Sequence, residues 1–291
     1  MKIGVHGKEF KKEAIPFITE IFEYLFKRDQ EVYISSKFES LLKHQAFKKF
    51  SWSTYEPGAD LKEFDFFISV GGDGTLLESV THIGGAEVPI LGINTGRLGF
   101  LATINKADIQ NSLDKVIAGA YTIDKRAVLK FNADKEVFGN LNFALNDFTV
   151  VKKDTSSMIT IHTYIDGEFL NSYWSDGIIV ATPTGSTGYS LSCGGPLISP
   201  SSGNFVITPI SPHNLTVRPI IVSDASEISF RVEGRSRKFL VSLDSRISTV
   251  DHTFTLKIKK GDFKVNLIQL HGQHYFKTLR QKLNWGLDIR N

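Results

Sequence analysis

The chain has 291 residues, 34 Lys and Arg against 31 Asp and Glu, and a net charge of +3, with 41% hydrophobic and 22% charged residues. That composition excludes disorder and supports a sizeable core in one large or two medium domains. The near balance of charge argues against a dedicated nucleic-acid binder, the single Cys193 excludes an internal disulfide, and no apolar run approaches the ~20 residues of a membrane span.

The start, MKIGVHGKEF, turns polar by Lys8 and lacks the apolar core of a signal peptide, so a cytoplasmic protein without a membrane or nucleic-acid partner is expected. Lys2–His6 reads as a strand. Lys8–Arg28 carries Ile15, Ile18, Ile21, Phe22 and Leu25 at helical spacing, with Pro16 as a possible kink. Glu31–Ser35 reads as a strand and Lys37–His44 as a helix; residues 47–61 fit no pattern. Asp65–Val70, DFFISV, is a compact apolar run suited to a buried parallel strand. Thr75–Ile83 reads as a helix, Val88–Asn94 as a strand and Asn105–Ala118 as an amphipathic helix. Repeated strand–helix units imply a parallel sheet covered by helices. From Tyr121 to about Leu270 strand formers alternate with turn signals such as Asp166-Gly167 and Glu233-Gly234, and this half reads as all-β. His274–Trp285 returns to helical spacing. The expected organisation is an α/β domain over 1–120, a β-rich domain over 121–272, and a C-terminal segment, 273–291, whose helix returns to the first domain.

Three segments carry chemistry. Gly71-Gly72-Asp73-Gly74-Thr75 lies between a strand and a helix, where glycines let backbone N–H groups approach an anion and the helix N-terminus adds partial positive charge. Asp73 is either an acid acting inside that turn or an N-cap of the helix. There is no G-x-x-x-x-G-K-[ST], and Leu77 stands where a dinucleotide fingerprint needs a third small residue. Asp176–Pro196, DGIIVATPTGSTGYSLSCGGP, runs from an apolar strand into a loop whose hydroxyls and N–H groups suit phosphate or ribose. Tyr189 there offers a platform for a base or ribose, and Cys193 reads as a packed small residue. Asn146-Asp147 interrupts the strand-like run Asn142–Val151; the pair could hold two ribose hydroxyls or mark a bulge or turn. Lesser candidates are Arg97 and Phe100 in the loop GINTGRLGF, and Asp244 and Arg246 after the strand Phe239–Leu243. The histidines, His271 and His274 among them, show no metal-ligand spacing, so no dedicated protein metal site is expected.

GGDGT at Gly71–Thr75 and the longer segment at Asp176–Pro196 resemble the NAD kinase family, as do the loop Gly92–Leu101 and the C-terminal LRQKLNWGLDIR; together they span residues 65 to 290. The resemblance implies an α/β domain followed by a β-rich domain, ATP and NAD as substrates, a divalent cation (Mg²⁺), a homodimer or homotetramer, and phosphoryl transfer to the 2′-hydroxyl of the adenosine ribose of NAD. It implies Asp73 as proton acceptor beside Gly74, and Asn146 with Asp147 on a ribose. It also implies a dinucleotide contact at Asp176 and a dinucleotide-binding loop of Thr187, Gly188, Tyr189, Ser190, Leu191 and Ser192. This chain departs from the family in Asp147, where Glu is usual, in Gly188, where Ala is frequent, and in Trp174, where many bacterial members carry Arg; Arg246 could replace that charge. Other readings are a lipid or sphingoid kinase, disfavoured by the polar loop at Thr184–Ser192, and a non-catalytic dinucleotide sensor, disfavoured by the presence of Asp73.

Overall fold

The computed structural model describes residues 1–96, 99–153 and 157–284. The chain divides into two compact units, one of residues 1–125 together with those from Val265 onward, the other of Arg126–Lys264.

In the first unit the order is β1 (Lys2–Gly7), α1 (Ile15–Lys27), β2 (Glu31–Ser35), α2 (Ser36–Glu39), β3 (Ser53–Tyr55), β4 (Phe66–Val70), α3 (Asp73–Ile83), β5 (Ile90–Ile93) and α4 (Ile109–Ile117). Every residue of β4 and β5 is buried, which is why these strands read as unbroken apolar runs: helices cover both faces of a parallel sheet. Helix α1 buries Ile18, Ile21, Phe22 and Leu25. Pro16 lies in its first turn and starts the helix rather than kinking it, since a missing N–H costs nothing there. The helix expected over Lys37–His44 shrinks to α2, and the unplaced stretch 47–61 contains β3.

These strands pair in parallel in the order β5-β4-β1-β2-β3. The sheet therefore grows one way from β1 to β2 and β3 and the other way to β4 and β5. The crevice outside the carboxyl ends at such a switch point is where open α/β sheets take ligands. Gly71–Thr75 leaves β4 at this point, and Lys8 follows β1 there.

The second unit is antiparallel. Its strands are β6 (Tyr121–Ala133), β7 (Phe143–Ala144), β8 (Asp147–Lys152), β9 (Ile159–Ile165), β10 (Glu168–Ser175), β11 (Gly177–Ala181), β12 (Asn204–Ile210), β13 (Ile220–Ser223), β14 (Ile228–Glu233), β15 (Lys238–Leu243), β16 (Arg246–Asp251) and β17 (Leu256–Leu270), with the short α5 (Tyr189–Ser192) after β11. One sheet has the order β13-β12-β11-β8-β15-β16. The other runs β10-β9-β14-β17, with β6 pairing β17 and β7. The core lies between them, and the Phe148 ring stacks on Phe131 at 5.2 Å and on Phe230 at 6.1 Å. Strands β6 and β17 run from one unit into the other. The end of β17 pairs in parallel with β5 in the first unit, Leu267 beside Ile90, and α6 (Tyr275–Leu283) belongs to that unit as well. Among the described residues no helix is long and apolar enough to cross a membrane.

Phe148 is fully buried between the two sheets, so Phe148→Ala should cost about 3–5 kcal/mol in urea unfolding. A loss below about 1 kcal/mol would mean that the sheets do not share one packed core.

Candidate active site

In the first unit the candidate residue is Asp73. The residue opens α3, whose N-cap is Gly72, and its side chain caps nothing in the helix. The N-cap reading of Asp73 is thus overturned. Its carboxylate reaches instead to the loop after β5. Oδ2 accepts from Phe100 N–H at 2.8 Å, and Oδ1 accepts from Leu101 and Ala102 N–H at 3.0 Å each. Gly99 permits this closeness, because a Cβ there would stand 1.8 Å from Asp73 Oδ1. A carboxylate has about four lone-pair positions. Among the described residues three are taken, two of them on Oδ1, which leaves one on Oδ2. The residue lies in the first turn of α3, beside the helix N-terminus. Lys8 Nζ donates to Gly74 O at 3.0 Å, tying the end of β1 to the same turn. Phe100 thus contributes its backbone N–H, while its ring lies 6.0 Å from Lys282 Nζ. Arg97 lies outside the described residues.

In the second unit the candidates are Asn146 and Asp147, where the expected strand Asn142–Val151 breaks into β7 and β8. The break is held by Asp244, at the β15–β16 turn with φ 53°. The Asp244 carboxylate accepts from the backbone N–H groups of Leu145 (3.0 Å), Asn146 (2.8 Å) and Asp147 (3.2 Å). Arg246 donates to the carbonyls of Leu141 and Phe143 and sits 3.9 Å from Asp244. Asp244 and Arg246 therefore position the Asn146-Asp147 backbone. Trp174, whose position Arg246 was expected to compensate in charge, is exposed, and its ring lies tilted against that of His213 at 4.3 Å between centroids.

Asn146 Oδ1 is buried without a hydrogen-bond partner, an acceptor left for a ligand donor. Asp147 is only 7% exposed. Burial, and then the charge of Asp244, pushes its carboxyl up to about 7.

The loop after β11 packs against this pair. Gly185 is required, because a Cβ there would lie 2.0 Å from Asn146 O. At Gly188 a Cβ would stand 3.9 Å from both Asn146 Nδ2 and Asp147 Oδ2, so the loop floor lies beside both side chains. Thr187 Oγ1 donates to Thr184 O at 3.1 Å, and Ser190 Oγ pairs with Thr208 Oγ1 at 2.8 Å. Those hydroxyls shape the loop. Tyr189 is exposed; partial burial, helped by Cys193, Asp147 and Asp176, raises its phenol. Leu191 and Ser192 complete α5 with their side chains part-buried and exposed.

Asp176 lies at the opposite end of β11 from Asn146-Asp147, although its charge still reaches Tyr189. It precedes β11 and pairs with Lys152 Nζ at 2.6 Å, whereas Asn146-Asp147 lies by the far end of that strand, with Ala181 opposite Asp147 and Gly177 opposite Val151. Two features escaped the sequence reading. Arg126, buried in β6, donates to Thr184 Oγ1 at 3.1 Å; its strand-like surroundings gave no sign of it. His6, Glu78 and His82 cluster at the end of β1; the spacing of Glu78 and His82, four apart on a helix, was the available signal.

Both halves match known sequences. The ATP-NAD kinase N-terminal domain matches residues 3–121 and the ATP-NAD kinase C-terminal domain residues 145–270. The chain is 52% identical over 292 residues to the NAD kinase of Cytophaga hutchinsonii and 47% identical over 294 residues to that of Flavobacterium johnsoniae, each alignment covering 100% of both chains. Among solved structures, an Archaeoglobus fulgidus NAD kinase in complex with ATP aligns with TM-score 0.74 and 27% identity, over 98% of this chain and 99% of that one. Yeast NADH kinase complexed with NADH shares the fold, with TM-score 0.84 at 21% identity, over 99% of this chain and 89% of that one. With both of its units matched and relatives of this identity over its whole length, the chain belongs to the ATP-NAD kinase family.

Proposed function

We propose that this chain transfers the terminal phosphoryl group of ATP to the 2′-hydroxyl of the adenosine ribose of NAD, forming NADP. The observation that carries the reading is the Asp73 carboxylate, fixed by three backbone N–H groups with one lone-pair position left on Oδ2. Phosphoryl transfer passes through a loose transition state, so catalysis rests on positioning. Asp73 Oδ2 orients the attacking hydroxyl and takes its proton as the phosphorus–oxygen bond forms. The N–H groups at the start of α3 face the donor phosphates.

The second unit supplies acceptor binding. Asn146 Oδ1 and the Asp147 carboxylate accept from ribose hydroxyls, Gly188 leaves room for the sugar, and Tyr189 lies against a ring of the dinucleotide. Asp176, at the other end of β11, contacts the dinucleotide across a homodimer or homotetramer. The cation is Mg²⁺. The Asp73 turn offers it one carboxylate, already engaged by N–H donors, which suits an ion that takes one or two carboxylates, keeps its waters and is held mainly by phosphate oxygens. When bound, it neutralises charge on the transferring phosphoryl group.

Chelation with EDTA should abolish turnover and leave the circular dichroism spectrum unchanged; full activity in EDTA would sink the metal assignment.

Asp73→Asn should lower kcat by roughly 10²–10⁴-fold with little change in NAD affinity. Asn offers one acceptor oxygen to three N–H donors, so the melting temperature is followed alongside. A folded variant with wild-type kcat would remove Asp73 from the chemistry.

Asp147 titrates at about 7 in the fold, against about 3.9 in an unfolded chain. The native state holds this proton more tightly, so the carboxyl favours folding fully below pH ~4, and that contribution is lost as pH rises to ~7. Asp147→Asn should therefore gain stability over wild type on going from pH ~4 to ~8, by on the order of 4 kcal/mol in urea unfolding. The ionised acid accepts from two hydroxyls where the protonated acid must donate its own proton. Hence kcat/KM for NAD should rise through pH ~7 in the wild type and lose that inflection in Asp147→Asn. Parallel stability profiles and an unchanged inflection would show Asp147 to be ionised throughout.

A further inference from the structure

Beneath the Gly71–Thr75 turn, at the carboxyl end of β1, a second cluster has no part in the proposed reaction. His6 is fully buried. Its Nδ1 lies 2.7 Å from Ser35 Oγ, while its Nε2 is buried without a hydrogen-bond partner, 3.7 Å from Glu78 Oε1. His82 follows Glu78 by four residues on α3, which puts both on one face of the helix. Its Nδ1 lies 3.1 Å from the Tyr55 hydroxyl, and its ring centroid is 4.4 Å from that of His6. One ligand atom from each of His6, Glu78 and His82 lies within 4.8 Å of the other two.

We propose that His6, Glu78 and His82 form a Zn²⁺ site, with a fourth position for water, distinct from the cation that accompanies the donor phosphates. Two imidazoles and a carboxylate with an open position are a zinc donor set. Magnesium, which takes oxygen ligands in near-ideal octahedra, does not match it. Bonds of ~2.0–2.1 Å place tetrahedral ligand atoms about 3.3–3.4 Å apart. The 3.7 Å between His6 and Glu78 therefore closes by small side-chain movements.

The outer contacts are those such a site needs. Ser35 and Tyr55 engage Nδ1 of the two rings, orienting each Nε2 as the ligating atom. The Glu78 carboxylate is held by two lysines. Lys37 contacts Oε1 at 2.6 Å and Lys8 contacts Oε2 at 2.8 Å. Lys37 is well exposed and can release Oε1 to a metal by swinging into water. Lys8 can keep Oε2 while donating to Gly74 O, so the site shares a lysine with the phosphate turn. A purely structural histidine pair would leave His6 Nε2 unsatisfied; a metal satisfies it.

The test uses the full chain, stripped with chelator, without nucleotide. Co²⁺ is titrated and its visible absorption followed, and Zn²⁺ is measured per chain by elemental analysis after dialysis. The wild type should take up one ion per chain with the intense visible bands of tetrahedral cobalt. His82→Gln and Glu78→Gln should each bind at least tenfold more weakly, and Tyr55→Phe, which removes an outer contact, roughly 10–100-fold more weakly. Melting curves establish that each variant folds; if His82→Gln does not, the partly exposed Glu78→Gln decides. Absence of uptake by the wild type at micromolar Zn²⁺ would overturn the site, as would uptake unchanged in folded Glu78→Gln.

Discussion

One device organises both halves of this protein: a carboxylate that gathers three consecutive backbone N–H groups. In the first unit Asp73 gathers those of residues 100–102, and in the second Asp244 gathers those of residues 145–147. Hydrogen bonds to a charged acceptor are about twice as strong as neutral ones, and three from adjacent residues fix a loop in register as well as in place. Without an acceptor such a run of N–H groups would be costly wherever it is buried. Each carboxylate thus converts an irregular stretch of backbone into a defined surface.

The two carboxylates are used differently because their surroundings differ. Asp73 is part-exposed at a helix N-terminus, with an oxygen lone pair left over. Asp244 is buried beside Asp147 and Arg246. Burial raises its carboxyl, while the three N–H groups and Arg246 pull the other way. The burden falls on Asp147, which has burial and the charge of Asp244 against it and holds its proton to about 7. Asp244 is thus a positioning residue whose charge adds to burial in raising the carboxyl of the residue it holds.

Much of the fold was legible in the sequence. Unbroken apolar runs such as FFISV mark strands covered on both faces, and the alternation of ITIHTYI marks strands with one face inward. The GGDGT turn was legible too, because its glycines and acid are adjacent in the chain. Contacts between distant positions were not. Asp244 lies 98 positions from Asn146, and nothing in the spacing of Asp244-Ser245-Arg246 says that its carboxylate will hold another strand's break. The partners of Asp73 were hidden for the same reason, although Gly99 was visible; only the 1.8 Å approach explains that glycine. The histidines show no metal-ligand spacing in the chain because His6 and His82 come together only when β1 and α3 pack.

The most specific segment in the sequence, TPTGSTGYS, also has a different meaning once folded. Its density of hydroxyls suggested direct contacts with a ligand. Instead Thr182 Oγ1 accepts from Gly185 N–H, Ser186 Oγ donates to Pro183 O and accepts from Ile198 N–H, Thr187 reaches Thr184 O, and Ser190 meets Thr208. These bonds close the loop on itself and on its neighbours. Gly185 lets the loop rest on the Asn146 carbonyl and Gly188 keeps the space beside the Asn146 and Asp147 side chains open. Among the groups left for an outside partner are the Asn146 amide oxygen, the Asp147 carboxyl and the exposed Tyr189 ring. A motif this dense therefore encodes mainly the shape of a cradle. A rigid cradle suits a site with preset polar groups, because an acceptor already desolvated and aimed gives up little further freedom when a donor arrives.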